Sequence, residues 1–214
     1  MSGGIEEPVR DCPLCPRLAA FRAEQRARFP DWHNAPVPSF GSAAARLLII
    51  GLAPGLRGAN RTGRPFTGDY AGDLLYATLL AFGLARGRYA AAPDDGLTLV
   101  DCRITNAVRC VPPENKPTPA EAAQCRGFLA AEIGAMPQLR ALLALGAIAH
   151  QAALAALKLR RAAYPFAHGA LHRLPGGLIL ADSYHCSRYN TNTRKLTPAM
   201  FEAVFAALKP ILAD

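Results

Sequence analysis

The chain has 214 residues, and 51% of them are hydrophobic, which provides enough apolar side chain for one sizeable core. Its 24 Lys and Arg residues against 16 Asp and Glu give a net charge of +8, which suits an acidic polymer such as a nucleic acid as partner. No apolar run approaches the roughly 20 residues of a membrane span, and the N-terminus lacks the basic-then-apolar pattern of a signal peptide. We therefore expect a cytoplasmic protein.

Helix and strand patterns alternate along the chain. A loose tail is expected over residues 1–10, and residues 35–41 are typical of a Pro/Gly loop. Short apolar or β-branched runs predict buried strands at 46–51, 97–108, 139–145 and 177–182. Helical spacing and helix-start signals predict helices at 17–28, 73–84, 118–134, 147–160 and 197–212. This order predicts an α/β fold in a single domain, 1–214: a three-layer α/β/α sandwich around a central, mostly parallel four-stranded sheet.

Three unusual segments each come at or after the end of a predicted strand, at 52–72, 106–117 and 183–196. A long loop inside a compact domain is usually functional. Because ligands of open parallel sheets bind beyond the carboxyl ends of the strands, we expect these segments to converge on one edge of the sheet. The sequence therefore places the candidate site at that edge.

Six cysteines occur, and four of them have ligand-like spacing. A chain with this much core does not need disulfides, and a cytosol would keep its thiols reduced. Cys12 and Cys15 form a CxxC pair, and Cys110 and Cys125 bracket a Pro-rich loop, so the four can close around one four-coordinate centre. The spacing does not separate zinc from an iron–sulfur cluster, and CxxC alone also fits a redox pair. We interpret Cys102 as a buried apolar residue.

The segment after the first strand, GLAPGLRGANRTGRPFTGDYAG (51–72), is rich in glycine, which lets backbone approach a ligand closely. It has neither a GKS/GKT nor a GxGxxG motif, so it is not a standard phosphate-binding loop. Phe66 offers an aromatic face and Asp69 a carboxylate, as a base swung out of a nucleic acid requires. The alternatives are a core role for Phe66 and helix capping by Asp69. The candidate phosphate contacts here are Arg57, Arg61 and Arg64.

Two further segments carry polar candidates. Asn106 lies near the end of the second strand, where its amide presents a donor and an acceptor together, as a pyrimidine edge requires; capping of the next loop is the alternative. In SYHCSRYNTNTRKLTP (183–198), His185 can donate to an oxygen that gains negative charge. The alternatives are a structural role for His185 and a solvated loop for the segment. Tyr189 is a candidate wedge for the space that a flipped base leaves. The candidate DNA contacts are Ser187, Arg188, Asn190, Thr191 and Arg194.

Together these motifs resemble the iron–sulfur uracil-DNA glycosylases known as families 4 and 5, over most of the chain. The CPLC pair, ITNAVRCVPPENKPTPAEAAQC and the His loop resemble both families, whereas GLAPGLRGANRTGRPFTGD resembles family 5. Family 4 typically has Glu where this chain has Leu52. One departure is Cys186, because related enzymes often have Pro after the motif His. No extended loop of the kind that attaches covalently to DNA is present.

The resemblance implies a site residue by residue. It implies a [4Fe–4S] cluster on Cys12, Cys15, Cys110 and Cys125, uracil stacking on Phe66, an amide contact from Asn106 and stabilisation of the leaving-group oxygen by His185. Residues 51–55 carry no polar side chain, so Asp69 is the best acid to position water or stabilise the sugar cation. The loop backbone around the base is expected to be that of Gly51, Ala53, Pro54 and Gly55.

From these residues we predict a monofunctional DNA glycosylase that flips uracil out of DNA and hydrolyses its N-glycosidic bond, since the first two motifs hold no lysine nucleophile. Hypoxanthine and xanthine are further expected bases. The expected partner is damaged DNA in the nucleoid, with the protein acting as a monomer and without a membrane. Two other classes stay open: a zinc-stabilised nucleic-acid-binding protein without catalysis, and a nucleotide hydrolase, which the missing phosphate-loop Lys disfavours.

Overall fold

The structure, a computed structural model, describes residues 5–213. Its helices are α1 (Pro16–Arg28), α2 (Ala59–Thr62), α3 (Tyr70–Ala81), α4 (Pro119–Gly134), α5 (Ala147–Ala156), α6 (Arg188–Asn192) and α7 (Pro198–Ala213). Its strands are β1 (Phe40–Gly41), β2 (Leu47–Gly51), β3 (Ala85–Arg86), β4 (Thr98–Leu99), β5 (Cys102–Asn106), β6 (Ala141–Leu145), β7 (Leu171–Arg173) and β8 (Ile179–Ser183). No helix in this range is long and apolar enough to cross a membrane.

The central sheet has six strands in the order β1-β5-β2-β6-β8-β7. The four inner strands are parallel, in agreement with the predicted mostly parallel four-stranded sheet, and they are almost entirely buried. The additional strands are the short antiparallel edges β1 and β7. They were missed because runs of two or three residues carry no periodicity to detect.

The core lies in two layers, one on each face of the sheet. Successive residues of a strand point to opposite faces, so Leu47 and Ile49 pack on one side and Leu48 and Ile50 on the other. Helices α3 and α7 cover the first face, and α4 and α5 cover the second. The predicted α/β/α sandwich is confirmed.

Local chemistry sets the helix starts. The Thr118 side chain accepts a hydrogen bond from the backbone N–H of Glu121, and the Glu121 carboxylate accepts one in return from the N–H of Thr118, which completes the predicted capping box. Helix α3 begins at Tyr70, earlier than the predicted 73, because the Asp69 side chain caps it by accepting from the N–H of Gly72.

Five predicted stretches differ in detail. The strand predicted at 97–108 is two strands, because Asp101 adopts a left-handed φ of 52° between β4 and β5 and its carboxylate binds Arg46. The predicted loops at 52–72 and 183–196 contain the short helices α2 and α6, and the loop at 35–41 ends in β1. The tail predicted as loose is attached from Glu7 onward, since that carboxylate binds the buried Arg109 at 2.8 Å.

Candidate active site

One cavity of about 630 Å³ lies at the carboxyl edge of the parallel strands. The loops after β2, β5 and β8 meet there, because these strands are parallel and lie close together in the sheet, so their carboxyl ends share one edge. The cavity is lined by side chains from all three loops, including Phe66, Asp69, Asn106 and His185. Of the other predicted residues, it is also lined by Ala53, Pro54, Gly55, Arg57, Ser187 and Arg188.

Asp69 combines two roles. One carboxylate oxygen caps α3, at 3.2 Å from the N–H of Gly72, while the side chain lines the cavity beside Gly55 and Gly58. A Cβ added at Gly58 would come within 2.4 Å of the second oxygen, Oδ2, so this glycine makes room for the carboxylate. Burial raises the pKa of Asp69, and its backbone hydrogen bonds partly oppose that rise. The carboxylate is therefore fixed in place but incompletely solvated.

Phe66 and Asn106 form the floor of the cavity. Phe66 is buried and holds an unusual left-handed φ of 53°, which persists only where the surroundings fix it. The hydroxyl of Tyr76, which donates to the carbonyl of Pro65 at 2.6 Å, is one such restraint. Gly51 lies beneath both side chains instead of lining the cavity, and a Cβ there would clash with the Asn106 amide oxygen and the Phe66 ring. Within residues 5–213, no group hydrogen-bonds the Asn106 side chain.

His185 faces the ring of Phe66 across the cavity, with ring centroids 6.0 Å apart. Its backbone carbonyl accepts a hydrogen bond from the Asn190 side chain at 2.8 Å, which fixes the loop. The imidazole has no hydrogen-bond partner in the described part of the chain, so both ring nitrogens are available to a ligand. Burial lowers the pKa of His185, so the ring is neutral at neutral pH.

The strand that carries His185 is anchored by a buried polar cluster. Asp182, near the end of β8, is hydrogen-bonded to His150 at 2.7 Å and to His172 at 3.2 Å. The other ring nitrogen of His150 donates to the carbonyl of Tyr164 at 2.8 Å. This cluster ties α5, β7 and the loop at 164 to the strand end from which His185 projects.

Asn115 is a site residue that the sequence analysis missed. It lines the cavity from the loop between Cys110 and Cys125. Asn115 and its neighbour Glu114 both have left-handed φ values, 57° and 54°, which turn the loop toward the cavity. The PPEN segment signals a turn, but its position over the cavity depends on the fold of the whole loop.

Several predicted DNA contacts lie outside the cavity, and one must be corrected. Arg64 is buried, and both terminal nitrogens of its guanidinium bind Asp95, at 2.9 and 2.8 Å, so it stabilises the loop and does not present donors to DNA. Arg61 and Arg194 are exposed but do not line the cavity. Asn190 holds the backbone of His185, and the Thr191 hydroxyl donates to the carbonyl of Ser187 within α6.

The four predicted ligand cysteines surround a second, small cavity. Arg22, which is buried, donates to the sulfur of Cys110 at 2.9 Å, and the backbone N–H of Arg109 donates to that of Cys125 at 3.3 Å. Burial raises the pKa of Cys110 to about 11 and also raises that of Cys125. Burial therefore disfavours the thiolate form of these two cysteines.

Beside these cysteines lies a buried network of charges. The Glu132 carboxylate binds Arg103 and Arg109, each at 2.6 Å, and the two guanidinium groups also bind Glu7. Burial acts to raise the pKa of Glu132, but the two guanidinium groups hold it below its usual value. The network connects the N-terminal segment and α4 to the end of β5.

Fold and site together define an α/β/α protein with a cavity at its strand ends and four cysteines grouped around a second, smaller cavity. The family model of the uracil DNA glycosylase superfamily matches residues 38–209. A type-5 uracil-DNA glycosylase of Thermus thermophilus is 48% identical over 204 residues, which cover 92% of either chain. The chain belongs to the uracil DNA glycosylase superfamily and, within it, to the type-5 group, as its motifs predict.

Other relatives agree with this placement. A type-5 uracil-DNA glycosylase of Mycobacterium tuberculosis is 43% identical over 94% of this chain and 78% of its own length. A type-4 uracil-DNA glycosylase of Pyrobaculum aerophilum is 35% identical, but over 69% of this chain and 62% of its own length. The weaker and shorter type-4 match agrees with the distinction drawn from the motif that begins at Gly51.

Proposed function

We propose that this protein removes uracil from DNA by hydrolysing the N-glycosidic bond of a nucleotide that is swung out of the helix. The observation that supports this most directly is the shared cavity, which brings Asp69, Asn106 and His185 around the ring of Phe66. A flipped base needs a stacking surface, groups that read its edge and an anion near its sugar. The cavity offers all three.

The reaction breaks the bond between C1′ and the base nitrogen and leaves positive charge on the sugar and negative charge on the base. Asp69 stabilises the sugar cation and orients the water that attacks C1′. The neutral His185 donates a hydrogen bond to the base oxygen that gains charge. Water supplies the hydroxyl group to C1′ and the proton that ends on the released base. Because this donor is already in place before the reaction, no free energy is spent on reorienting it in the transition state.

Base selection depends on Phe66 and Asn106. The Phe66 ring is the stacking surface, and the unpartnered Asn106 amide reads the pyrimidine edge with one donor and one acceptor. Few other side chains in the cavity present a base-specific pattern, so hypoxanthine and xanthine are further substrates that we propose. Selectivity then comes partly from how easily a mispaired base unstacks.

The enzyme is proposed to be monofunctional. Strand cleavage through a Schiff base requires an amine nucleophile. No lysine is among the described residues that line the cavity, and the Lys195 ammonium instead lies 5.0 Å from the ring centroid of Tyr184. The product is therefore an intact strand with an abasic site.

We also propose that Cys12, Cys15, Cys110 and Cys125 hold a [4Fe–4S] cluster. Four thiolates around a single tetrahedral zinc would lie about 3.8 Å apart, given a Zn–S bond of about 2.3 Å. Among the described residues, only His150, His172 and Asp182 place three possible metal-ligand atoms within 4.8 Å of one another. No three of the four cysteine sulfurs are therefore that close together. The wider spacing favours a multi-iron cluster, which would be structural because all four of its corners are occupied.

The setting proposed for this activity is the cytoplasm, on nucleoid DNA, with the protein acting as a monomer. None of the six cysteines forms a disulfide within the described residues, which fits a reducing compartment.

A uracil-release assay tests the proposal. The wild type should free uracil from a duplex with one U·G pair, leave an abasic site and form no complex that borohydride traps. Asp69→Asn and His185→Ala should each slow release about 100- to 1000-fold while retaining DNA binding. Asp73→Asn is the matched control, because this exposed carboxylate lies one turn further along α3. Failure of the wild type to release uracil, or undiminished rates in both variants, would rule out the assignment.

A further inference from the structure

Tyr70 and Arg188 join the two loops that carry the proposed catalytic groups. The guanidinium carbon of Arg188 lies 5.2 Å from the ring centroid of Tyr70, and both side chains line the cavity. Tyr70 directly follows Asp69 at the start of α3, and Arg188 begins α6, three residues after His185. The contact therefore spans the cavity between the Asp69 loop and the His185 loop.

The contact with Tyr70 leaves the donors of Arg188 free. A guanidinium that lies on a ring uses its face for the contact, while its N–H groups point outward from its edge. Within residues 5–213, Arg188 makes no salt bridge and its side chain donates no hydrogen bond. Among the described residues, the Tyr70 ring is thus the one aromatic contact of a cation whose five N–H groups remain available.

The free edge of the Arg188 guanidinium suits a phosphate as ligand. A guanidinium edge matches two phosphate oxygens with parallel hydrogen bonds, which makes the contact geometrically specific. A nucleotide that enters this cavity brings its flanking phosphates to the rim. Asp69 is the one acid among the described lining residues, and Arg57 and Arg188 are the cations, so the rim favours an anion.

We propose that Tyr70 is a positioning residue that holds Arg188 in place to bind a phosphate beside the flipped nucleotide. The inference rests on the proposed function, because it needs a nucleotide in the cavity. Tyr70 acts through Arg188 and makes no base contact of its own.

A double-mutant cycle tests this role. Binding to a duplex with one U·G pair is measured by fluorescence anisotropy in an Asp69→Asn background, in which the base stays attached. Tyr70→Ala should weaken binding roughly two- to fivefold, the range of an exposed cation–π contact. Arg188→Ala should weaken it further and reduce the salt slope by about one. In the Arg188→Ala background, Tyr70→Ala should have no additional effect.

Two conservative variants separate positioning from folding. Tyr70→Phe keeps the ring face and should bind DNA like the parent, whereas Tyr70→Leu keeps apolar bulk without the ring and should behave like Tyr70→Ala. An equal loss from Tyr70→Ala with and without Arg188 would mean that Tyr70 contacts DNA itself, and this would overturn the inference. DNA binding that is unchanged by Tyr70→Ala would also overturn the inference. Uracil release by the wild type is scored separately, so absence of coupling in an active enzyme refutes this inference alone.

Discussion

The strand-end cavity and the charge network beside the four cysteines differ in how their polar groups are satisfied. In the cavity, the Asn106 amide and the His185 imidazole have no hydrogen-bond partner among residues 5–213, and the backbone around Phe66 is held in an unfavourable conformation. Beside the cysteines, by contrast, the carboxylate of the fully buried Glu132 is bound by two guanidinium groups. The cavity has capacity left for a ligand, whereas the carboxylates of the neighbouring network are all paired, and in the described part of the chain Arg109 Nε is the one buried polar atom of that network without a partner.

This difference separates function from stability. Unpartnered groups in the cavity cost folding free energy and become useful only when substrate arrives. The cysteine side contributes packing around the sulfurs and the ion pairs of Glu132 to the fold. We therefore expect changes at the cysteine side to reduce stability first, and changes in the cavity to reduce activity with little loss of stability.

The largest expected effect is loss of the proposed cluster. Cys110→Ser should abolish bound iron and its brown absorbance and lower the melting temperature by at least about 6 °C, which corresponds to roughly 3 kcal/mol at this chain length. Uracil release should fall as well, because Asn115 is held by the loop between Cys110 and Cys125. Cys102→Ser, at a buried thiol in β5, is the control and should keep its iron. A Cys110→Ser protein that retains four irons would contradict the ligand assignment.

The next effect is on the charge network. Glu132→Gln leaves Arg103 and Arg109 with a single carboxylate, that of Glu7, and should lower the free energy of unfolding by about 3–5 kcal/mol. Urea unfolding measures this change. Glu114→Gln removes an exposed carboxylate that pairs with Lys116 and should leave the midpoint unchanged. Equal midpoints for the two variants would show that the network does not stabilise the fold.

Much of this architecture could be predicted because it depends on local patterns. The apolar runs of β2 and β6 identify buried strands, and the ends of parallel strands must share an edge, which brought Asp69, Asn106 and His185 together in prediction as in the structure. The capping box at Thr118 likewise needs only two residues three apart.

The features that escaped prediction depend on distant partners. Arg64 was expected to bind phosphate because its own segment contains one acid, Asp69, and no sign of Asp95, which is 31 residues away. The attachment of the N-terminal segment rests on Glu7 and Arg109, which are 102 residues apart. Asn115 lies at the cavity only because two consecutive residues, Glu114 and Asn115 itself, have left-handed φ values. No short pattern encodes such contacts.

A third prediction concerns the position of Asp69 alone. Gly58→Ala would place a methyl group 2.4 Å from Asp69 Oδ2, so the carboxylate must shift; displacements of about 1 Å can cost up to about 100-fold in rate. Gly55→Ala, with a closest approach of 3.1 Å, should have a smaller effect. Gly127→Ala in α4 meets nothing within 4 Å and should leave kcat unchanged. Single-turnover release rates should follow this order, and a fully active Gly58→Ala would show that the carboxylate position is not critical.

The smallest expected effect is a gain in stability when the proposed catalytic carboxylate is removed. Asn is as good a helix cap as Asp, so Asp69→Asn keeps the start of α3. Because burial raises the pKa of Asp69 above its unfolded value, the folded wild type is penalised as pH rises through that window, and the penalty is absent in acid, where the carboxyl is protonated in both states. Asp69→Asn should therefore be slightly more stable than the wild type at neutral pH, and this advantage should disappear as the pH falls. Urea unfolding at several pH values measures the difference, and an Asn variant that is less stable at neutral pH would show that the carboxylate is held for the fold and not for the reaction.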